Sequence, residues 1–266
     1  MGKLRLLRKP DSMTLVFIVL GAVILLFIFL PLFKMLISSS PGTLWNTLLD
    51  NEVYRSIMLT IYAAAIATVV GLVLGVPLAY LLARREFRGK RVIEGLIDVP
   101  IVIPHSAAGI ALLFVFGHQF LVGKFFHLMN IDFVSALPGI VIAMMFVSIP
   151  FLIDSAKEGF KGVDPKLEKV ARTLGASPWQ SFFRISLPLA RRNIFAGSIM
   201  MWARGMSEFG AIMILAYHPM VAPVLLWDRF ATSGLDYALP VAALLIIISL
   251  VVFIALRTIA FREKKA

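Results

Sequence analysis

The chain has 266 residues, of which 60% are hydrophobic and only 15% are charged. A soluble domain carries about a quarter charged residues, so this composition excludes an ordinary soluble protein. The net charge of +11 would fit nucleic-acid binding, but the basic residues flank long apolar blocks. We therefore predict a protein that contacts membrane lipid and no nucleic acid. The absence of cysteine excludes disulfides, thiolate metal sites and cysteine nucleophiles.

Six apolar blocks are long enough to cross a bilayer, which takes about 20 residues. They cover residues 13–37, 56–82, 99–117, 137–155, 194–216 and 239–259. The first block follows a basic N-terminus and resembles a signal peptide, but it is too long and lacks a small-residue cleavage site, so we interpret it as a retained anchor. The sequence thus predicts an all-α integral membrane protein with six transmembrane helices, forming one domain over residues 1–266.

The distribution of Lys and Arg predicts the orientation of this domain. With the N-terminus inside, 21 of the 26 basic residues lie in the inner segments 3–9, 84–91, 157–192 and 257–265, and four lie in outer segments. The positive-inside rule then places both termini in the cytoplasm, at the plasma membrane of the cell. We expect the residues that carry the mechanism to lie mainly in the longest inner loop, about residues 156–193.

The first part of this loop has the pattern of a short amphipathic helix. Asp164 is a cap and Pro165 a favourable first residue. Four apolar residues repeat at helical spacing: Leu167, Val170, Ala171 and Leu174. Gly175 follows as a C-terminal cap, because glycine accepts the left-handed conformation. Such a stripe must be buried, either on the membrane domain or on a cytoplasmic partner.

A second short helix is predicted directly after the glycine. Ser177, Pro178 and Gln180 form a capping box with proline at the first helical position. Phe182 and Phe183 add aromatic surface, and Leu187-Pro188 is expected to end the helix before the fifth span. The loop is therefore predicted to be a cytoplasmic elbow of two helices joined at Gly175.

The elbow resembles the EAA signature of the permeases of ATP-binding-cassette (ABC) importers. The matching residues are Glu168-Lys169-Val170-Ala171, Gly175 and Ile185-Ser186-Leu187-Pro188, with Val170 in place of the first alanine of the signature. The resemblance implies that the elbow docks on a separate ATPase. The coupling residues that it implies are Glu168, Ala171, Leu174, Gly175, Ala176, Ser177 and Pro178.

The resemblance also implies partners and a source of energy. We expect two ATPase subunits that bind ATP and Mg²⁺, a second copy of this chain, and an extracytoplasmic binding protein. This chain is expected to hold no cofactor and to catalyse no reaction, since it shows neither an ATP site nor a convergent catalytic set.

Five residues within the spans are candidates for a translocation pathway. Pro100 and Pro104 would kink the third span just before His105, either to line a pore or for packing alone. Arg204 and Glu208, four apart in the fifth span, could neutralise each other as an ion pair that positions the helix. Alternatively, Arg204 could face a cavity and attract an anion.

The sequence predicts no metal site. The four histidines, His105, His118, His127 and His218, are scattered rather than placed at ligand spacing.

Two segments resemble those of permeases that transport oxyanions in particular. Residues 98–113 and 202–211 look like those of archaeal molybdate/tungstate permeases, and residues 208–211 are typical of molybdate-type and sulfate-type permeases. We expect tungstate or molybdate import, with sulfate or another anion as the alternative. An ion-coupled carrier or a channel is the rival class, but unpartnered buried charges and an arginine array are both missing.

Overall fold

A computed structural model of the chain describes residues 11–260, and throughout this range the regular structure is helical. The orientation was predicted in part from basic residues whose side chains the structure does not describe, namely those at 3–9, 257 and 262–265. The helices are α1 (Ser12–Ile37), α2 (Pro41–Leu49), α3 (Asn51–Arg84), α4 (Lys90–Val102), α5 (His105–Phe116), α6 (Leu121–His127), α7 (Leu137–Lys161), α8 (Pro165–Thr173), α9 (Pro178–Ser181), α10 (Leu187–Met206), α11 (Gly210–Leu215), α12 (Ala222–Ser233) and α13 (Leu235–Ala260).

Three long helices, α3, α7 and α10, form the centre of the molecule. Small buried residues such as Ala63 and Ala67 on α3 and Ala143 on α7 let these helices approach closely. Near the end of α3 a second apolar cluster joins Leu82 to Phe160 of α7. By contrast, α1 has no buried residue and packs only lightly against α13, so most of its surface is available to lipid or to a partner chain.

Four helices are long and apolar enough to cross a membrane, namely α1, α3, α7 and α13, and a fifth span results if the bent pair of α4 and α5 is counted. The all-helical prediction is confirmed, whereas the count of six spans is not. The prediction of a continuous fifth span is wrong, because α10 ends at Met206 and α11 begins at Gly210. Helix α10 also carries three arginines, which lower its hydropathy.

The predicted third span is broken rather than kinked. Helices α4 and α5 meet at an angle of 115°. Pro100 is buried inside α4, and Pro104 stands at the start of α5 after the extended residue Ile103. A residue before proline disfavours the helical conformation, which explains why the helix stops there.

The chain stays helical from α9 into α10, so the prediction that Leu187-Pro188 ends the second helix of the elbow is wrong. A π-helical turn, Phe182–Ser186, joins the two helices. In a regular α-helix the ring of Pro188 would clash with the carbonyl of Arg184. Arg184 lies in the π-helical turn, whose wider spacing relieves that clash.

Candidate functional site: the elbow and the helix breaks

The elbow, residues 164–188, begins with the predicted caps. Asp164 accepts a hydrogen bond from the backbone N–H of Lys166 at 2.9 Å and starts α8. Gly175 ends it with a φ of +91°, and the N–H of Ala176 donates to the carbonyl of Ala171 at 3.0 Å. This is a Schellman ending, in which the left-handed residue is normally glycine. The predicted joint between the two helices is confirmed.

The second helix of the elbow starts with the predicted capping box. The Ser177 hydroxyl accepts from the Gln180 N–H at 3.2 Å, and the Gln180 side chain accepts from the Ser177 N–H at 2.8 Å. Pro178 occupies the first turn, where its missing N–H costs nothing.

Glu168 ties the elbow to the membrane helices through three side chains, and we name these four residues the anchor cluster. Its carboxylate accepts hydrogen bonds from Tyr80 at 2.8 Å, from Arg84 at 2.7 Å and from Ser186 at 2.6 Å. Sequence reasoning found Glu168 but missed its partners, because Arg84 was counted only as a positive charge at the end of a span.

Arg84 extends the anchor cluster to the end of α7. Its guanidinium donates to the carbonyl of Phe160 at 2.8 Å and to that of Val163 at 3.0 Å. The side chains of Arg84 and Glu168 are only 10% and 14% exposed. Burial alone would raise the pKa of Glu168, but hydrogen bonds from Ser186, Tyr80 and Arg84 outweigh it and hold that pKa below its usual value.

Aromatic rings pack beside the anchor cluster. The ring of Tyr80 meets those of Phe160 and Phe182 edge to face, at 5.2 and 4.9 Å between centroids. Phe182 was expected on the surface with Phe183 but is turned inward, while Phe183 remains exposed. The elbow is thus fixed by packing as well as by hydrogen bonds.

The opposite side of the elbow is apolar and uncovered, and we call it the apolar elbow face. Trp179 and Phe183 stack with their rings 5.9 Å apart, and Leu174 is 84% exposed. The face consists of Leu167, Val170, Leu174, Trp179 and Phe183. The membrane domain therefore does not bury the predicted stripe, and a patch of this kind marks an interaction site.

A second charged cluster lies where the break between α4 and α5 meets the break between α10 and α11, and we call His105, Arg204 and Glu208 the break cluster. Glu208 is 1% exposed and accepts from Nδ1 of His105 at 2.6 Å. Arg204 lies 3.2 Å from the same carboxylate oxygen and 2.8 Å from Nε2 of His105. The same Arg204 nitrogen lies 2.9 Å from Nδ1 of His105, so it is in contact with both ring nitrogens.

The break cluster depends on close contact between α5 and α11. A Cβ on Gly210 would come within 2.8 Å of the Cβ of His105, so only glycine fits. The other carboxylate oxygen of Glu208 accepts from the backbone N–H of Ala211 at 2.9 Å. Glu208 therefore closes the break after α10 instead of lying on one helix with Arg204, as the sequence predicted. Their ion pair forms, and His105 is its third member.

The remaining histidines are less scattered than their spacing indicated. His118 and His127 approach each other on the loop between α5 and α7, beside Asp132. Their spacing along the sequence therefore does not reflect their distance in the fold, and the absence of a metal site stays a prediction.

The fold and its uncovered elbow define a membrane subunit built to associate with another protein, and comparison with known proteins gives its family. A family model described as binding-protein-dependent transport system inner membrane component matches residues 71–265. A molybdate/tungstate transport system permease protein of Pyrococcus furiosus is 45% identical, over 97% of this chain and 99% of its own length. The corresponding protein of Methanocaldococcus jannaschii is 43% identical, over 94% and 97%.

Solved structures give the same fold. A bacterial alginate ABC transporter, in complex with a periplasmic protein bound to an alginate pentasaccharide, has a chain with a TM-score of 0.73 and 17% identity, over 95% of each chain. The chain described here belongs to the family of binding-protein-dependent transport system inner membrane components. It is a multi-pass protein of the cell membrane and the non-catalytic permease subunit of an ATP-driven importer.

Proposed function

We propose that this permease imports tungstate or molybdate by alternating access. Two copies would enclose one pathway, two ATPase subunits would bind ATP and Mg²⁺ below, and an external binding protein would deliver the oxyanion. The names of the two archaeal relatives support the substrate. The observation that carries the coupling is the apolar elbow face held on a saturated anchor cluster.

The anchor cluster would make the elbow a stiff lever. Glu168 on α8 is bonded to Tyr80 and Arg84 on α3, and Arg84 is bonded to the end of α7. Ser186, just before α10, binds the same carboxylate. Any displacement of the elbow by an ATPase would therefore be passed to α3, α7 and α10 together. Glu168 acts as a positioning residue, while the apolar elbow face makes the docking contact.

The break cluster would form a weak anion site in the pathway. Arg204 is 25% exposed and keeps part of its positive charge available, but the buried carboxylate of Glu208 offsets much of it. Helix α5 starts at His105 without a side-chain cap, so its partial positive charge adds to that of Arg204. A site that holds an anion weakly suits passage, since conduction fails where binding is too tight.

Reconstitution tests the substrate. Proteoliposomes that contain the permease and its ATPase should take up tungstate or molybdate when ATP and the binding protein are supplied. The matched control is an ATPase that cannot hydrolyse ATP, which should abolish uptake. Uptake confined to sulfate or to an organic solute would reject the substrate, and uptake driven by an ion gradient without ATP would reject the class of transporter.

Binding to the isolated permease tests where recognition occurs. Capturing a dianion tightly needs several cations or helix N-termini, and the break cluster offers one arginine with an offsetting glutamate. Equilibrium dialysis of the purified permease should therefore show weak tungstate binding only. Tight, stoichiometric binding would move high-affinity recognition into this chain.

Labelling tests the proposed six spans and cytoplasmic termini. The chain has no cysteine, so single cysteines report their own exposure. Cysteines that replace Asn46, Asn130 or Ser233 should react with an impermeant reagent from outside intact cells, and one that replaces Gly162 should react only after lysis. Outside labelling at residue 162 would invert the orientation.

A further inference from the structure

The loop between α5 and α7 brings three metal-ligating side chains to one exposed surface. His118 lies just after α5, His127 ends α6, and Asp132 follows five residues later. Oδ1 of Asp132 is 2.7 Å from Nδ1 of His127 and 3.4 Å from Nδ1 of His118. One ligand atom from each side chain lies within 4.8 Å of the other two.

This spacing suits a small transition-metal ion. Zinc bonds of about 2.0–2.1 Å in a tetrahedral site place neighbouring ligand atoms about 3.3 Å apart. The 3.4 Å between His118 and Asp132 matches this spacing, and the 2.7 Å between His127 and Asp132 would lengthen when an ion replaces their hydrogen bond. A hydrogen bond between His127 and Asp132 would account for that pair alone. It would leave unexplained why Nδ1 of His118 also lies 3.4 Å from the same carboxylate oxygen.

The loop holds the three ligands rigidly. A Cβ on Gly123 would come within 2.5 Å of the carbonyl of Phe116, so α6 lies directly against the end of α5. The chain turns back after α6 through the positive φ of Asn130, and the next residue donates to the carbonyl of Phe126 at 3.0 Å. Phe133 is buried against Phe116 and Phe126, with ring centroids 4.7 and 5.3 Å away.

We propose that this loop binds Zn²⁺, or a divalent transition-metal ion of similar preference, through His118, His127 and Asp132. Two imidazoles and one carboxylate favour such ions over Mg²⁺ and Ca²⁺, which prefer oxygen ligands. Three protein ligands leave a fourth tetrahedral position for water or for a group from a docking protein. The ion would clip the end of α5 to α6 and to the chain that enters α7.

Cobalt binding tests the site directly. The chain, purified in detergent with a tag that contains no histidine, is titrated with Co²⁺, whose visible absorption is strong in tetrahedral sites. We expect one Co²⁺ per chain, displaced by Zn²⁺, and a higher unfolding temperature in the presence of Zn²⁺. Absence of stoichiometric binding would overturn the proposal.

Substitutions of the proposed ligands then test whether the ion binds at this site. Asp132→Asn keeps the size and the hydrogen bond to His127 but removes a charged ligand, and His118→Phe keeps the ring contact with His127. Each should weaken binding by more than about 100-fold, since even changes behind the ligands cost 10–100-fold. His218→Ala, at another exposed histidine, is the matched control and should bind as the unaltered chain does. Equal affinity in all three variants would place the ion elsewhere and overturn the proposal.

Discussion

The anchor cluster and the break cluster both join a glutamate to an arginine, yet they differ in what remains available. In the anchor cluster the carboxylate of Glu168 has three side-chain donors, and Arg84 also donates to two backbone carbonyls. In the break cluster Glu208 is the more deeply buried, but its partners Arg204 and His105 are 25% and 34% exposed.

This difference distinguishes a cluster suited to transmit motion from a cluster suited to bind a ligand. A buried carboxylate with three donors and a buried arginine leave little surface for a ligand, so we expect this cluster to transmit motion between the elements that it joins. A cluster with a partly exposed arginine can exchange one of its contacts for a passing anion. The same pair of residue types therefore fits two functions, and the exposure of the arginine distinguishes them.

The largest effect is expected where the anchor cluster loses its cation. Arg84→Met would leave Glu168 buried without its positive partner and should destabilise the permease by about 3–5 kcal/mol. It should also uncouple ATP hydrolysis from transport, because α8 is no longer tied to α3. Unfolding in detergent and the ratio of uptake to hydrolysis measure the two effects.

A double substitution and a nearby arginine are the controls for this prediction. Arg84→Met combined with Glu168→Gln removes both charges and should recover part of the lost stability, which a double-mutant cycle reports as coupling. Arg88→Met, at an exposed position four residues further along, should leave both measurements unchanged. Additive losses in the cycle would show that the pair is not coupled.

A smaller effect is expected in the break cluster. Glu208→Gln preserves the shape and the acceptor for Ala211 but removes the charge that offsets Arg204, at a cost of about 1–3 kcal/mol in stability. Tungstate binding to the isolated permease should become roughly tenfold tighter, which corresponds to 1.4 kcal/mol, and turnover should fall because release is slower.

An arginine substitution separates charge from shape in the break cluster. Combining Glu208→Gln with Arg204→Gln removes both charges and should return tungstate binding to its weak level. If Glu208→Gln alone leaves binding unchanged, Arg204 does not face the anion and the cluster is purely structural.

The next effect comes from the joint of the elbow. Gly175→Leu puts a side chain at a φ of +91°, which costs about 1–2 kcal/mol, although a Cβ there meets no atom within 4 Å. We expect weaker assembly with the ATPase while the membrane helices still fold. Gly175→Asn should be milder, because asparagine tolerates this conformation. Gly162→Leu, at a glycine of ordinary helical φ, is the matched control in a co-purification assay.

Local signals in the sequence predicted the elbow well. The caps at Asp164 and Ser177 and the left-handed Gly175 depend on neighbouring residues only, so they could be identified without the fold. The prediction that the second helix ends at Pro188 was wrong, because the π-helical turn before this proline has no distinct residue pattern in the sequence.

Contacts between distant segments could not be predicted in the same way. Glu208 and His105 are 103 residues apart, and Glu168 and Arg84 are 84 apart. Their meeting depends on how α3, α5, α7 and α10 pack, which a hydropathy pattern does not specify. The prolines predicted a kink near Pro104 but not a full break, and the break after Met206 was missed, because hydropathy averages over a window and does not register where backbone hydrogen bonds stop.

The smallest expected effect is a dependence of the unfolding temperature on pH, and it arises in the anchor cluster. Since its hydrogen bonds hold the pKa of Glu168 below the ordinary value of 4.5, the ionised carboxylate stabilises the elbow at every pH above that value. This contribution is lost only as the pH falls from 4.5 through the lower pKa of the folded protein. The difference in unfolding temperature between the unaltered permease and Glu168→Gln should therefore stay constant from about pH 7 to about pH 5 and shrink below. A difference that instead grows in favour of the unaltered permease as the pH falls from 7 to 5 would mean that burial outweighs the three donors, because the folded protein would then bind the proton more readily than the unfolded chain.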